Sequence, residues 1–294
     1  MTVRDSIITS SIGRKLLVLI MFFIGTLDSH AQSTDVLSVV SWNVFLRPGI
    51  LQDEQAERTD SIANYLLKTD ADVLVLQEVF HRKSRTKLKQ LLSKKYPHQS
   101  KVGKTSFWGI SSGVMLFSKH QILEENHISF SKGTGSDRLA KKGGVSIIIK
   151  FRNKLTQIIG THLQAGNGLK RMKIRRQQIQ KLKKLNKNEN EVSAIIYAGD
   201  FNIDHRTEAY LNMLEILNCS NKSPKSSIKT TANFSDQELI QAKGSSKWID
   251  FILIRKKKNA KIKTSVIQSP RYRVRNKKKR LSDHNPILSE IEIK

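Results

Sequence analysis

The chain of 294 residues has one cysteine, Cys219, so no intramolecular disulfide can form and no cluster of thiolates can hold zinc. A small buried thiol is the expected role of Cys219. There is no His-Glu-x-x-His segment, which removes a zinc-protease reading. There is no Walker loop either, which argues against nucleotide triphosphatases. No long Pro-, Gly- or Ser-rich linker and no internal repeat divides the chain, so one domain is expected over 32–294. Acidic residues are scarce, 25 against 52 Lys and Arg, for a net charge of +27. That surplus points to an anionic partner: nucleic acid, an anionic membrane or a phosphate-bearing substrate. Solubility alone is the competing account of the same charge.

At the N-terminus, Arg14-Lys15 precedes an unbroken apolar run from Leu16 to Ile24, and Ser29-His30-Ala31 offers a small-x-small cleavage site. Residues 1–31 therefore read as a signal peptide, and the protein as secreted or periplasmic. The run is short for a membrane span, which needs about 20 apolar residues; a retained anchor is the alternative. Such a leader would carry away three basic and two acidic residues, so the positive charge belongs to the remaining chain.

Hydrophobic residues make up 38% of the chain, enough for a sizeable core. Apolar, β-branched runs predict strands over 36–44, 72–76, 112–117, 145–151, 156–163, 192–198, 248–254 and 287–293. Helices are predicted over 53–68, 83–92, 169–185 and 207–217, the third with an apolar face of Met172, Ile174, Ile179, Leu182 and Leu185. Lys170 to Lys187 holds nine basic residues and no acidic one, and shorter basic runs cover Arg255–Lys258 and Lys277–Arg280. Alternating strands and helices fit two packed sheets covered outside by helices, though periodicity alone does not establish it.

Polar residues sit where strand propensity does not explain them. Asn43, Glu78, His162, and Asp200 with Asn202 each follow an apolar strand, Asp250 interrupts another, and Asp283-His284 precedes the last. A carboxylate in an apolar strand is costly unless it is paired or holds a metal. Glu and Asn oxygens suit a hard cation, Mg²⁺ or Mn²⁺.

The set Ser41-Trp42-Asn43, Gln77-Glu78, Thr161-His162, Gly199-Asp200-Phe201-Asn202, Ile249-Asp250-Phe251-Ile252 and Ser282-Asp283-His284 resembles, in order, the motifs of the DNase-I-like endonuclease/exonuclease/phosphatase superfamily. The resemblance implies a four-layered α/β sandwich, with two mixed sheets face to face, helices outside and the site at one end. It implies Glu78, helped by Asn43, as holder of a Mg²⁺ or Mn²⁺ ion, with Asp283 on the metal side. His284 would be the general base, an imidazole near its ordinary pKa of about 6.5 suiting that task, and Asp250 would orient it. Asp200 and Asn202 would position water and phosphate, and His162 would stabilise phosphate charge or assist the leaving group.

Two segments resemble the neutral, bacterial-type sphingomyelinases within that superfamily. One is Thr161-His162-Leu163-Gln164-Ala165. The other is Gly135 to Gly143, in which Asp137 and Lys142 match an Asp-x-x-x-x-Lys-Gly loop whose Lys approaches the phosphate and whose Asp partners it. The implied activity is metal-dependent hydrolysis of sphingomyelin or a related phosphosphingolipid to ceramide and a phosphorylated headgroup. The implied partner is a phospholipid membrane surface, with anionic lipid or nucleic acid attracted to the basic surface and no obligate protein partner. Unlike the haemolytic members, this chain has a Lys- and Arg-rich stretch before its final motif, with Tyr272 its only aromatic from Arg255 to Arg280. Two readings stay open beside this one: a secreted DNase-I-like nuclease, and a non-catalytic binder of polyanions acting through Lys170–Lys187.

Overall fold

Strand β1 (Asp35–Leu46) shows why the chain builds layers. Val39 packs among side chains of a second sheet, while the next residue, Val40, packs against helices on the other side. Successive strand side chains point to opposite faces, so an almost unbroken apolar strand has to be covered on both. The computed structural model describes residues 35–51, 53–103, 110–130, 133–187, 190–233, 245–256, 259–274 and 277–294. The predicted leader, 1–31, lies outside the described residues.

After β1 come α1 (Gln55–Thr69), β2 (Val73–Val79), α2 (Arg82–Leu92), β3 (His98–Gln99), β4 (Met115–Ser118), β5 (Ile122–Ser129), β6 (Gly143–Phe151) and β7 (Lys154–His162). Then follow α3 (Leu169–Lys183), β8 (Ala194–Asp200), α4 (Glu208–Leu217), β9 (Cys219–Ser220), β10 (Asp250–Arg255), β11 (Ala260–Ile267), β12 (Arg271–Val274), β13 (Lys277–Arg280) and β14 (Ile287–Ile293). One sheet has the order β11-β14-β1-β2-β4-β3 and the other β5-β6-β7-β8-β10-β9, while β12 and β13 form a separate hairpin. Both sheets are mixed: β1 with β2 and β7 with β8 are parallel, and the remaining pairs are antiparallel. Parallel neighbours need a crossover, which α1 supplies in one sheet and α3 in the other. The sheets share a core of residues such as Val39, Val75, Ile147, Ile158, Ile196 and Ile252. Helices α1 and α2 cover the outside of the first sheet, and α3 and α4 cover the second. This is the four-layered sandwich the motifs imply.

The missed strands share one property. β5 and β11 lie at sheet edges, where one side is open to solvent and charged side chains guard against further pairing. In β11, Ala260 and Ile262 face inward while Lys261 and Lys263 are exposed, so a true strand reads as a basic cluster. Helix α3 departs from its expected face as well. Met172 is 45% exposed, because it lies two residues, about 200°, away from Ile174. The buried face is completed by Arg175 and Gln178 beside Ile174, Ile179 and Leu182. Leu185 falls beyond the helix end and is only partly buried. Cys219 is buried as expected, and burial pushes its thiol up to about 12.

Gly160 of β7 faces the opposite sheet where the two approach closely. A Cβ there would lie 2.8 Å from both Leu116 Cδ1 and Val75 Cγ1. Those methyls belong to a packed core that gives little. Gly160→Ala should therefore lose about 1–3 kcal/mol of stability, read as a lower denaturation midpoint; an unchanged midpoint would mean that the sheets separate readily at this point.

Candidate active site

The polar residues meet because of strand direction. Asn43, Glu78, His162 and Asp200 stand at or beside the C-terminal ends of the parallel strands β1, β2, β7 and β8. Asp250 opens β10 rather than interrupting it, and pairs directly across from Asp200 because β10 runs antiparallel to β8. The two sheets join here: Asn43 Nδ2 donates to Glu78 Oε1 at 3.1 Å and to Asp200 Oδ2 at 3.2 Å. Gly199 permits this geometry, with φ of 153° and a backbone so close to Thr161 that a Cβ would lie 2.0 Å from its carbonyl oxygen. Glu78 and Asn202 hold left-handed φ values of 57° and 53°, a cost that surrounding contacts must offset.

His284 Nδ1 lies 2.8 Å from Asp250 Oδ2, and Nε2 lies 3.8 Å from Asp200 Oδ2. His162 Nε2 is 3.4 Å from the same Asp200 oxygen. Asp200 thus stands between the two imidazoles. Lys142 is buried, and its ammonium meets Asp137 Oδ1 at 2.9 Å, His162 Nε2 at 3.0 Å and the Leu163 carbonyl at 2.9 Å. An ammonium has no lone pair, so His162 Nε2 is the acceptor of that bond. The other oxygen of Asp137 accepts from the Ala165 N–H at 2.7 Å, which ties its loop to the segment after His162. Asn202 donates through Nδ2 to the Leu163 carbonyl at 3.2 Å, and its N–H donates to Asp200 Oδ1 at 2.9 Å.

All ten candidate residues are therefore at this end of the sandwich, with one difference of detail. Asn43 turns its amide nitrogen toward the carboxylates, because its Oδ1 accepts the Phe45 N–H at 3.1 Å. An N–H is the group that fits between two carboxylates, since both neighbours accept.

Three residues of this frame were assigned no role from the sequence. Arg58 is fully buried and donates to the carbonyls of Asp53, Val44, Phe45 and Leu281, so it clamps the segment after Asn43 to the loop before His284. Thr231 Oγ1 accepts the N–H groups of Ile249 and Asp250, and its carbonyl accepts the Asn285 N–H. Trp42 Nε1 donates to the His284 carbonyl at 2.9 Å. In sequence these are one more basic helix residue, one loop threonine and one strand aromatic.

The electrostatics are those of buried negative charge in excess. Burial, reinforced by Asp283, raises the Glu78 carboxyl. Burial and then Asp250 push Asp200 up to about 7. Burial also raises Asp283, against the pull of His284, Arg58 and Arg47. His284 departs from its expected ordinary value: burial lowers it, but Asp250, Asp200 and Asp283 outweigh burial and hold it well above that value. His162 lies well below the ordinary value, through burial and then the charges of Lys142 and His284.

Asp200, Asp250 and His284 bring ligand atoms within 4.8 Å of one another. Since His284 Nδ1 and Asp250 Oδ2 already bond to each other, that trio suits proton transfer better than ligation. Glu78 and Asp283 are the better fit to a divalent cation. Glu78 Oε2 is buried without a hydrogen-bond partner among the described residues. Both carboxyls are raised by burial, which a cation would relieve, and their oxygens suit a hard ion.

Residues 40–284 match the family described as the Endonuclease/Exonuclease/phosphatase family. The chain is 27% identical to a sphingomyelinase C of Bacillus cereus, over 91% of this chain and 92% of that one. It is 30% identical to another Bacillus cereus sphingomyelinase C, over 66% of each. Among solved structures, SmcL superposes with a TM-score of 0.73 at 26% identity, covering 87% of this chain and 98% of its own. A Staphylococcus aureus beta toxin variant with bound magnesium ions gives 0.74 at 24% identity, covering 89% and 100%, a likeness of fold.

The raised groups make stability depend on pH in one direction. For Glu78, Asp200 and Asp283 the folded value exceeds the unfolded one, so folding binds protons and stability falls as pH rises between the two values. For His284, raised as well, the contribution is fully present below its unfolded value of about 6.5 and is lost as pH rises through the folded one. His162, lowered, acts in the opposite sense below about pH 6.5, so in chelator the denaturation midpoint should fall from about pH 6.5 to about pH 8, and a divalent cation should flatten the dependence. A midpoint that rises over this interval in chelator would contradict the charge balance described here.

Proposed function

We propose, for a chain that belongs to the endonuclease/exonuclease/phosphatase family through its match over residues 40–284, a phosphoric diester hydrolase activity that cleaves sphingomyelin or a related phosphosphingolipid to ceramide and a phosphorylated headgroup. The observation that carries this reading is the His284–Asp250 pair, bonded at 2.8 Å and facing Asp200 across from the Glu78 carboxylate, with the Lys142–Asp137 clip on its other flank. The two Bacillus cereus relatives named sphingomyelinase C support the substrate class.

In this reading Glu78 and Asp283, with Asn43 beside them, would hold a divalent cation, Mg²⁺ or Mn²⁺. When bound, that ion would supply positive charge to a phosphate oxygen and offset the buried carboxylates. His284 takes the proton of the attacking water at Nε2, because Nδ1 is engaged by Asp250. Asp250 fixes the ring orientation and balances the imidazolium once it forms. Asp200 and Asn202 orient water and phosphate. Water adds to phosphorus as the bond to the ceramide oxygen breaks, and that oxygen takes its proton from solvent water. His162 stays neutral beside Lys142, so it acts on the phosphate as a polar group rather than as a cation. Lys142 supplies charge at the phosphate edge, held in place by Asp137.

A nuclease is the second reading, favoured by the net charge of +27. Purified protein given sphingomyelin vesicles or plasmid DNA, each with Mg²⁺, separates the two: ceramide release is expected and DNA cleavage is not. Lys142→Ala should lower sphingomyelin turnover by about 10²-fold or more, yet affect a small activated diester much less. DNA cleavage without ceramide release would reverse the assignment.

Glu78→Gln keeps the shape of the side chain and removes its charge. It should abolish turnover on every substrate while leaving the circular dichroism spectrum intact. It should also abolish the rise in melting temperature that Mg²⁺ gives the wild-type protein, a readout independent of catalysis. A full Mg²⁺-induced shift in the variant would remove Glu78 from the cation site.

A further inference from the structure

Among the described residues nine large hydrophobic side chains are exposed, and their distribution is uneven. Five of the nine, Ile50, Leu51, Leu139, Leu169 and Met172, lie on the three segments that frame the site. Ile50 is 88% exposed and Leu169 is 84% exposed, values with no packing role behind them. Ile50 and Leu51 occupy the 3-10 turn Gly49–Leu51 that follows β1 and Asn43. Leu139 lies between Asp137 and Lys142, just ahead of β6. Leu169 and Met172 open α3, which follows His162 and its loop.

These segments form two lips. Ala165 donates its N–H to Asp137, and Thr134 donates its N–H to Gln164 Oε1 at 2.8 Å, so the Leu139 segment and the segment leading to α3 are stitched into one lip beside His162 and Lys142. On the other lip Arg47, next to the turn bearing Ile50, feels the charges of Glu78 and Asp283. Asp200 and the His284–Asp250 pair lie between them.

The aliphatic tips are interleaved with cations. Arg138 and Lys141 flank Leu139, and Lys170 and Arg171 separate Leu169 from Met172. The acidic residues of the lips are already paired: Asp137 with Lys142, Asp53 with Arg47, and Glu54 with Lys279. A protein–protein interface is depleted of lysine at its centre. Exposed aliphatics next to uncompensated Lys and Arg are instead what a headgroup layer favours, with apolar tips reaching the acyl boundary and cationic ends staying among phosphates.

We propose that these two lips form a bilayer-docking face, built from Ile50 and Leu51 on one side and Leu139, Leu169 and Met172 on the other, which seats the mouth of the site at the phosphate level of an anionic phospholipid surface. The face relies on the phosphosphingolipid reading only for its purpose; its existence is a matter of binding. It lets the site meet a diester while the lipid stays in the membrane.

The test uses vesicles of phosphatidylcholine and phosphatidylglycerol without sphingomyelin, so that binding is measured apart from hydrolysis. Ile50→Asp and Leu169→Asp should each weaken cosedimentation by about tenfold or more, and the double variant should weaken it further. Leu123→Asp is the control, since Leu123 is 46% exposed near the start of β5, at the far end of its sheet from His162. It should bind like wild type. Turnover of a soluble small phosphodiester should be unchanged in all of them, which shows that the site is intact. If the lip variants bind these vesicles like wild type, or if Leu123→Asp loses as much, the docking face is overturned. A protein whose lips bind vesicles but which releases no ceramide would retain the face and lose the substrate assignment.

Discussion

Four carboxylates, Glu78, Asp200, Asp250 and Asp283, converge at one end of the sandwich, where burial opposes the charge of Glu78, Asp200 and Asp283. The rest of the molecule is arranged around that concentration of negative charge. Burying one ion without compensation is already expensive, and four together are tolerable only because fixed donors and cations face them. Three of them raise the proton affinity of His284, Arg58 and Arg47 lower the burden on Asp283, and Asn43 bridges Glu78 and Asp200 with its amide. What remains uncompensated, the orphan oxygen of Glu78 above all, is what makes a cation fit.

The scaffold tolerates this arrangement because it keeps strain local. The left-handed residues Glu78 and Asn202 and the close approach at Gly199 all occur where strands end, away from the interior of the sheets. Behind them lie two sheets whose shared core is apolar. The irregular segments are pinned by single buried groups: Arg58 under the β1 end, Thr231 under the start of β10, and Trp42 under His284. Each holds backbone rather than side chains, which sets the position of a site residue through its main chain.

Charge is distributed oppositely at the two scales. The chain carries +27, yet the floor of its site is acidic. A positive surface raises the local concentration of anionic lipid or phosphate, while the acidic floor would repel a phosphate that arrived without a cation to bridge the two. Attraction at long range and selectivity at short range are thus assigned to different residues: the basic helix α3 and the lips to the first, Glu78 and Asp283 to the second.

The sequence by itself determined the interior strands and the identity of the polar residues at the site. Strands buried on both faces read as continuous apolar runs, and a carboxylate or imidazole ending such a run stands out because burial makes it costly. That is why Glu78, His162 and Asp200 were legible. Edge strands such as β11 were not, since exposure lets charged side chains mask the alternation, and neither was the buried face of α3, where Arg175 and Gln178 stand in for apolar residues. Only the tertiary structure decided how the site works electrostatically. The raised proton affinity of His284, the lowered one of His162 and the contacts of the Asn43 amide depend on groups far apart in the chain, Asp250 on His284, Lys142 on His162 and Glu78 with Asp200 on Asn43. Charge interactions act through space at distances of a few ångströms, and no pattern of spacing along the chain encodes them.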